Sequence, residues 1–336
     1  MQAVRLLRAG HLELQDVARP EPGPGDVLIK VEACGICGSD RHMFAGEYPT
    51  KPPVTLGHEF AGTVVALGPG VERLRIGQRV TGDPNIACGT CTACRSGRPN
   101  LCARLSAIGV QRDGGFAQYL VMPESQAHLL PDDIDPVHGA FCEPLACCLH
   151  GLDVARIRPG DSVAIFGGGV IGLLMVQLAR LAGATSVILS TRQQPRRDLA
   201  LTLGATHAVD PSSSHAVTEI RSIVPDGVDV TLECAGVLET FSQSITAVRR
   251  GGAVVVFGVM PQGQAVPVMP FDLLVNEIRL EGAYLNPLTH ARAAAMIAAR
   301  TLALDPLISR IVPLGEVAAI IAGAPAYGEI KIVARP

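Results

Sequence analysis

Tryptophan is missing from the 336 residues, and phenylalanine and tyrosine contribute only 8 and 4. Platforms on which bases could stack are therefore scarce. The formal net charge is -3, so there is no basic field to attract a phosphate backbone. No apolar run approaches the ~20 residues that span a bilayer. The segment Met1-Gln-Ala-Val-Arg5 has neither the charged nor the apolar region of a signal peptide. The expectation is a cytoplasmic protein that binds neither nucleic acid nor membrane. Disorder is excluded too, because 48% of the residues are hydrophobic. The length allows two domains.

What the chain does have is cysteine. Of its ten, four fall between residues 88 and 102, as Cys88, Cys91, Cys94 and Cys102. The spacing C-x2-C-x2-C-x7-C lets four sulfurs on one turning loop converge on a tetrahedral ion. Four thiolates fill every position of a zinc ion, so such a site is closed and structural. Four bare thiols on a surface loop are the competing reading, but they would invite oxidation.

Texture divides the chain near residue 140. Before it lie short β-like runs such as Val27-Leu-Ile-Lys-Val-Glu32 and Gly62-Thr-Val-Val-Ala-Leu67, separated by Gly/Pro turns. After a helix predicted from Ala140 to Ala155, strands and helices alternate. Strands are predicted at 162–166, 186–189, 228–232, 253–257 and 278–282, with helices at 170–182 and 196–203. That rhythm is the signature of a doubly wound parallel sheet.

Gly167, Gly169 and Gly172 occupy a GxGxxG pattern directly after one predicted strand, and with Val170 and Ile171 they open a helix. This is the context a dinucleotide-binding turn requires. The glycines permit the tight turn and the close approach of a pyrophosphate to the backbone, and the helix N-terminus supplies free N–H groups. A tight turn without a ligand is the alternative. The second strand of such a unit ends in an acid when it binds the ribose of NAD. Here it ends in Ser190-Thr191-Arg192, with Arg196 and Arg197 following. A hydroxyl with nearby guanidinium groups suits a 2′-phosphate, so NADP(H) is favoured over NAD(H). Arginines that merely decorate a solvated helix start are the alternative here.

A second metal set is suggested upstream by Cys37, by His58 and Glu59 in Gly57-His58-Glu59, and by Glu143 in Cys142-Glu143-Pro144-Leu145. Neighbours on a strand face opposite sides, so His58 and Glu59 are not both expected to point straight at one ion. Three protein ligands with one open position make a catalytic zinc site.

With these motifs assembled, the chain resembles the zinc-dependent medium-chain dehydrogenases over nearly its full length. The resemblance rests on Cys37-Gly-Ser39-Asp40, Gly57-His58-Glu59, the four-cysteine lobe and Gly167–Gly172. Glu-Pro-Leu at 143–145 is similar to the polyol and threonine branches. The fold so implied is α/β: a GroES-like, β-rich catalytic domain (1–150 and 286–336, with a zinc lobe at about 84–103) and a Rossmann cofactor domain with a doubly wound parallel sheet (151–285).

The resemblance also implies two zinc ions per chain and hydride transfer between a nicotinamide and a secondary alcohol or its ketone, most simply a polyol or sugar alcohol. An amino-alcohol such as threonine is the alternative substrate. Zinc would act as a Lewis acid on the substrate oxygen. Ser39 and His42 would relay the proton, and Asp40 would orient His58. Phe44, Tyr48, Phe116 and the 284–290 segment would shape the pocket. A homodimer or homotetramer is implied as well. The rivals are a non-catalytic NADP-binding sensor or structural protein, and a zinc-free reductase of the same fold.

Overall fold

Glycine and proline turns cut the first 135 positions into short extended pieces, because each turn residue interrupts a run of β-formers. In the computed structural model, which describes residues 1–212 and 216–336, the pieces become strands. They are β1 (Gln2–Arg8), β2 (His11–Asp16), β3 (Asp26–Ile36), β4 (Val54–Thr55), β5 (Glu59–Leu67), β6 (Arg79–Gly82), β7 (Asn85–Ile86), β8 (Ser106–Ala107), β9 (Tyr119–Pro123) and β10 (Ala127–Leu129). Helix α1 (Gly38–Ala45) follows β3, and α2 (Thr92–Arg95) and α3 (Pro136–Gly139) are single turns.

The chain forms two compact units, Met1–Ala146 with Asn286–Pro336, and Cys147–Leu285. It leaves the first within helix α4 (Cys142–Ala155), whose first turn carries Glu143.

The second unit alternates β11 (Ser162–Phe166), α5 (Val170–Leu181), β12 (Ser186–Ser190), α6 (Gln194–Thr202), β13 (His207–Val209), β14 (Val228–Glu233), β15 (Val248–Val256) and β16 (Arg279–Gly282). All six strands pair in parallel, in the order β13-β12-β11-β14-β15-β16. Every residue of β11 is buried, as expected of a strand covered on both faces. The order reverses between β11 and β14. Ligands of such sheets sit at that switch point, outside the carboxyl ends of the strands.

The return segment adds β17 (Ile308–Pro313) and β18 (Lys331–Arg335) to the first unit. Its main sheet runs β10-β6-β5-β3-β18-β17, with β9 also on β3. Strand β3 is its spine. Gly35 pairs with Glu59 of β5, and Ile36 pairs with Ile332 of β18. The last strand of the chain is thereby set one strand away from the Gly57–Glu59 motif. Beneath lies a core that includes Leu6, Ile29, Phe60, Val64, Phe116 and Met122, each at most 1% exposed. Burying a side chain of this size stabilises by about 1.5–3 kcal/mol. Phe116 therefore belongs to this core and lines no pocket, whereas Phe44 and Tyr48 are only partly buried against it.

A buried polar network fastens the return segment to β6 and the residues after it. Asn85 Nδ2 donates to Asn286 Oδ1 at 2.7 Å, and Asn286 Nδ2 donates to Asp83 Oδ1 at 3.4 Å. His290 contacts Asn286 at 3.3 Å and Thr81 Oγ1 at 3.4 Å. Desolvation lifts the Asp83 carboxyl from its ordinary 3.8 to about 6. Folding then binds an extra proton between those values, so stability falls as pH rises through that window and stays reduced above it. Asp83→Asn keeps an acceptor oxygen without the charge. We expect it to raise stability at pH 7.5 by about 1–2 kcal/mol. The gain should vanish at pH 4, which thermal melts at the two pH values will check.

Candidate metal centres and cofactor turn

In the lobe, α2 starts directly after Cys91 and carries Cys94, while a short turn ending at Leu101 delivers Cys102. The four ligand sulfurs lie within 4.8 Å of one another, with Cys91–Cys94 at 3.5 Å and Cys88–Cys94 at 4.0 Å. A disulfide needs about 2.05 Å between sulfurs. A tetrahedron of Zn–S bonds of about 2.3 Å has edges of about 3.8 Å, which is the separation found. The backbone N–H groups of Cys88 and Arg104 both donate to Cys102 Sγ at 3.3 Å. Unaided, the four cannot all ionise. Hydrogen bonds from Thr90 draw Cys88 down to about 5, while desolvation and the neighbouring sulfurs push Cys94 up to about 12. A dication resolves that conflict, so the donor set fits zinc.

The second cluster joins Cys37, His58 and Glu59, whose ligand atoms also lie within 4.8 Å of one another. Alternation along a strand does not separate His58 from Glu59, because β5 begins at Glu59 and His58 precedes it. Cys37 stands just before α1. Its N–H donates to Asp40 Oδ2 at 2.8 Å, which fixes the turn. Asp40 Oδ1 faces His58 Nδ1 at 3.6 Å, too far for a formed hydrogen bond, and both atoms are buried without a hydrogen-bond partner. A histidine that ligates through one ring nitrogen directs the other to a carboxylate in this way. Burial alone would lower the His58 ring, but Asp40 and Cys37 outweigh it and hold it well above its ordinary value. A thiol, an imidazole with a waiting carboxylate and a second carboxylate make a zinc-binding set.

Ser39 Oγ lies 3.4 Å from His58 Nε2, on the ligand side of the ring. His42 is one helical turn further along, partly exposed, with its Nδ1 2.7 Å from Glu47 Oε2. Glu143 is 7% exposed but falls outside the three-residue cluster.

A residue that the sequence reading passed over completes the centre. Lys331, 2% exposed, donates from Nζ to Glu59 Oε2 at 2.6 Å, Glu59 Oε1 at 2.9 Å and the Ile36 carbonyl at 3.1 Å. Burial would lower this ammonium, but Glu59, then Cys37, then Glu143 outweigh it and hold it above its usual range. The Glu59 carboxylate lies across Gly35, where a Cβ would come within 2.0 Å of Glu59 Oε2. The available signal was a lone lysine opening the apolar run Lys331-Ile-Val-Ala.

In the second unit the glycine turn sits between β11 and α5. Gly167 has φ +113°, and a Cβ there would come within 2.8 Å of Ala235 N. A Cβ on Gly172 would meet the Gly167 carbonyl at 1.9 Å, so helix and turn pack too closely for any side chain. A Cβ on Gly169 would instead point into open space, beside the first-turn N–H groups that Val170 and Ile171 expose. This is the cradle an anionic pyrophosphate needs, and it fits a dinucleotide. Thr191 packs on the same turn: a Cβ on Gly168 would touch its side chain at 2.8 Å. Arg192 is exposed and Arg196 half-buried. Arg197 is the third arginine expected near the phosphate. It turns inward, 8% exposed, and bonds the Thr191 carbonyl at 2.6 Å, Gln194 Oε1 at 2.7 Å and Asp210 Oδ2 at 2.8 Å.

Residues 23–132 match the alcohol dehydrogenase GroES-like domain, and residues 170–299 match the zinc-binding dehydrogenase family. The chain belongs to the zinc-dependent medium-chain dehydrogenases. It is 33% identical over 304 residues to a sorbitol dehydrogenase of Bacillus subtilis (strain 168), covering 89% of this chain and 86% of that one. It is 36% identical over 322 residues to an L-threonine 3-dehydrogenase of Thermococcus kodakarensis, covering 92% and 90%. A zinc-binding dehydrogenase from Sinorhizobium meliloti 1021, solved bound to NADP, superposes with a TM-score of 0.99 at 55% identity, over 100% of this chain and 99% of that one. As a medium-chain dehydrogenase the chain is an oxidoreductase enzyme, with the GroES-like and Rossmann folds of the family. These matches set aside the non-catalytic and zinc-free readings. Among the described residues no helix is long and apolar enough to cross a membrane.

Two outcomes follow for this dehydrogenase. Cys91→Ser removes one of the four lobe sulfurs and should lower both the zinc content and the melting temperature, read by metal analysis and calorimetry. Lys331→Met leaves Glu59 buried and unpaired, and should destabilise by about 3–5 kcal/mol. Adding Glu59→Gln should recover most of that loss in denaturant titrations.

Proposed function

We propose that this dehydrogenase transfers a hydride between NADP and a secondary alcohol or its ketone, with a polyol or sugar alcohol as the substrate class. The observation that carries the reading is the Cys37–His58–Glu59 cluster with Lys331 gripping Glu59. Cys37, His58, Glu59 and Glu143 are the residues we assign to the catalytic zinc, with Lys331 fixing where the Glu59 carboxylate lies. Cys88, Cys91, Cys94 and Cys102 would hold a second, structural zinc. Bound there, zinc supplies Lewis acidity toward a substrate oxygen, and NADP supplies the hydride acceptor.

The chain's own residues do the rest. Asp40 braces Cys37 through its N–H and stands ready for the His58 ring. The Ser39 hydroxyl, on the ligand side of His58, holds the substrate's hydroxyl proton and passes it on. His42, partly exposed and paired with Glu47, is the solvent end of that relay. In the second unit Gly167, Gly169, Val170, Ile171 and Gly172 cradle the pyrophosphate. Thr191, Arg192 and Arg196 receive the 2′-phosphate. NADP in the Sinorhizobium meliloti structure supports that choice.

A threonine-type amino-alcohol is the second substrate reading, supported by the likeness to the Thermococcus kodakarensis enzyme. A homodimer or homotetramer belongs to the same proposal. Strand β16 ends its sheet with β15 as its only partner there, and Leu280 on it is 40% exposed. None of the ten cysteines is paired in a disulfide, and a setting that keeps cysteines reduced for metal binding belongs to the same proposal.

The test is hydride transfer followed at the nicotinamide absorbance with sorbitol, other polyols, 2,3-diols and L-threonine, run with NADP and NAD in parallel and with zinc counted on the same sample. We expect turnover with a polyol, a preference for NADP and two zinc ions per chain. Cys37→Ala should remove one zinc and lower kcat/KM about thousandfold. Full turnover by Cys37→Ala would sink the metal mechanism.

A further inference from the structure

Strands β12 and β13 end side by side, with Leu189 opposite Ala208 and Ser190 opposite Val209. The Thr191 N–H continues the contact, donating to the Val209 carbonyl at 3.1 Å. Asp210 follows directly after the end of β13. An acid that would select NAD at the end of β12 is thus absent from position 191 but present one strand away. Its charge is engaged: Asp210 Oδ2 meets Arg197 Nη2 at 2.8 Å, and Asp210 Oδ1 accepts from the Ser212 N–H at 2.9 Å. The same guanidinium reaches back through Nη1 to the Thr191 carbonyl at 2.6 Å. One planar fork therefore spans the turn that faces Gly168 and the carboxylate beside it. The Arg197 side chain is 10% exposed against 27% for Asp210, so the acid is the member of the pair nearer to solvent.

We propose that Arg197 is a specificity-determining positioning residue: by neutralising Asp210 it keeps a latent NAD-selecting carboxylate from repelling the 2′-phosphate. The inference rests on the NADP reading above. A phosphate and an unpaired carboxylate at the ends of adjacent strands repel, whereas the 2′-hydroxyl of NAD tolerates or bonds the same acid. Arg197 itself is not asked to touch the cofactor. The residues proposed above to receive the phosphate, with Thr191, are the exposed Arg192 and half-buried Arg196.

The experiment is equilibrium titration of the full-length protein with NADP and NAD, by calorimetry, for the parent, Arg197→Met, Arg197→Lys, Asp210→Asn and the double variant Arg197→Met/Asp210→Asn. Arg197→Met should weaken NADP by about tenfold, a change of 1.4 kcal/mol, with NAD unchanged or tighter. The double variant should regain most of the NADP affinity. Arg197→Lys keeps the charge without the fork and should keep the preference even if its melting temperature drops. Should Arg197→Met fail to fold, Asp210→Asn decides alone: NADP binding as tight as the parent's or tighter supports the lock, and a selective loss of NADP overturns it. Equal weakening of both cofactors by Arg197→Met makes the residue structural only and leaves the NADP reading intact. A parent that shows no preference for NADP removes that reading and this inference together.

Discussion

One buried ion pair, Lys331 with Glu59, ties this molecule together. Each side chain is about 2% exposed, and removing both from water is expensive unless the geometry repays it. Here it does, with two Nζ–carboxylate contacts and a third bond to the Ile36 carbonyl. The pair demands that β18 lie against β3, that Gly35 carry no side chain, and that Glu59 start its strand where it does. Those are the same demands that bring Cys37 and His58 together. Fold and metal centre are therefore one problem in electrostatics rather than two.

Each unit prepares its part of the chemistry by arranging charge. In the first, Asp40 waits 3.6 Å from a histidine, and a lysine stands among Glu59, Cys37 and Glu143. In the second, a turn without side chains leaves open space beside the positive end of a helix.

Much of this was legible in the residues. Short spacing alone marks the four-cysteine lobe, and Gly167–Gly172 is recognisable because a strand precedes it and a helix follows. The strand and helix alternation gave the parallel sheet, although β15 starts at Val248, five residues before its apolar run, and two helices between β13 and β15 carry too mixed a pattern to stand out. The alternation rule has no purchase at Gly57–Glu59, since it applies only inside a strand and His58 lies before β5. Lys331 escaped because its partner is 272 positions away, and no local rule connects them. Asp210 escaped for a related reason: its pairing with Arg197, which was named only for the phosphate, comes from strand register. Phe116, expected to shape the pocket, is instead wholly buried in the core of the first unit.

The interruption of the first unit by the second carries a consequence for how the protein comes into being. Residues 147–285 are contiguous and can form their sheet as soon as they have emerged from the ribosome. The first unit cannot close in the same way. Its sheet takes β18 into a place between β3 and β17, and Lys331 of β18 follows Ile36 of β3 by 295 positions, after the whole second unit. Until β18 arrives, the carboxylate of Glu59 has no cation and the spine strand has an open flank. The first unit therefore closes only after the second has been made, and a nascent chain stalled after residue 300 would hold a complete second unit and an incomplete first one.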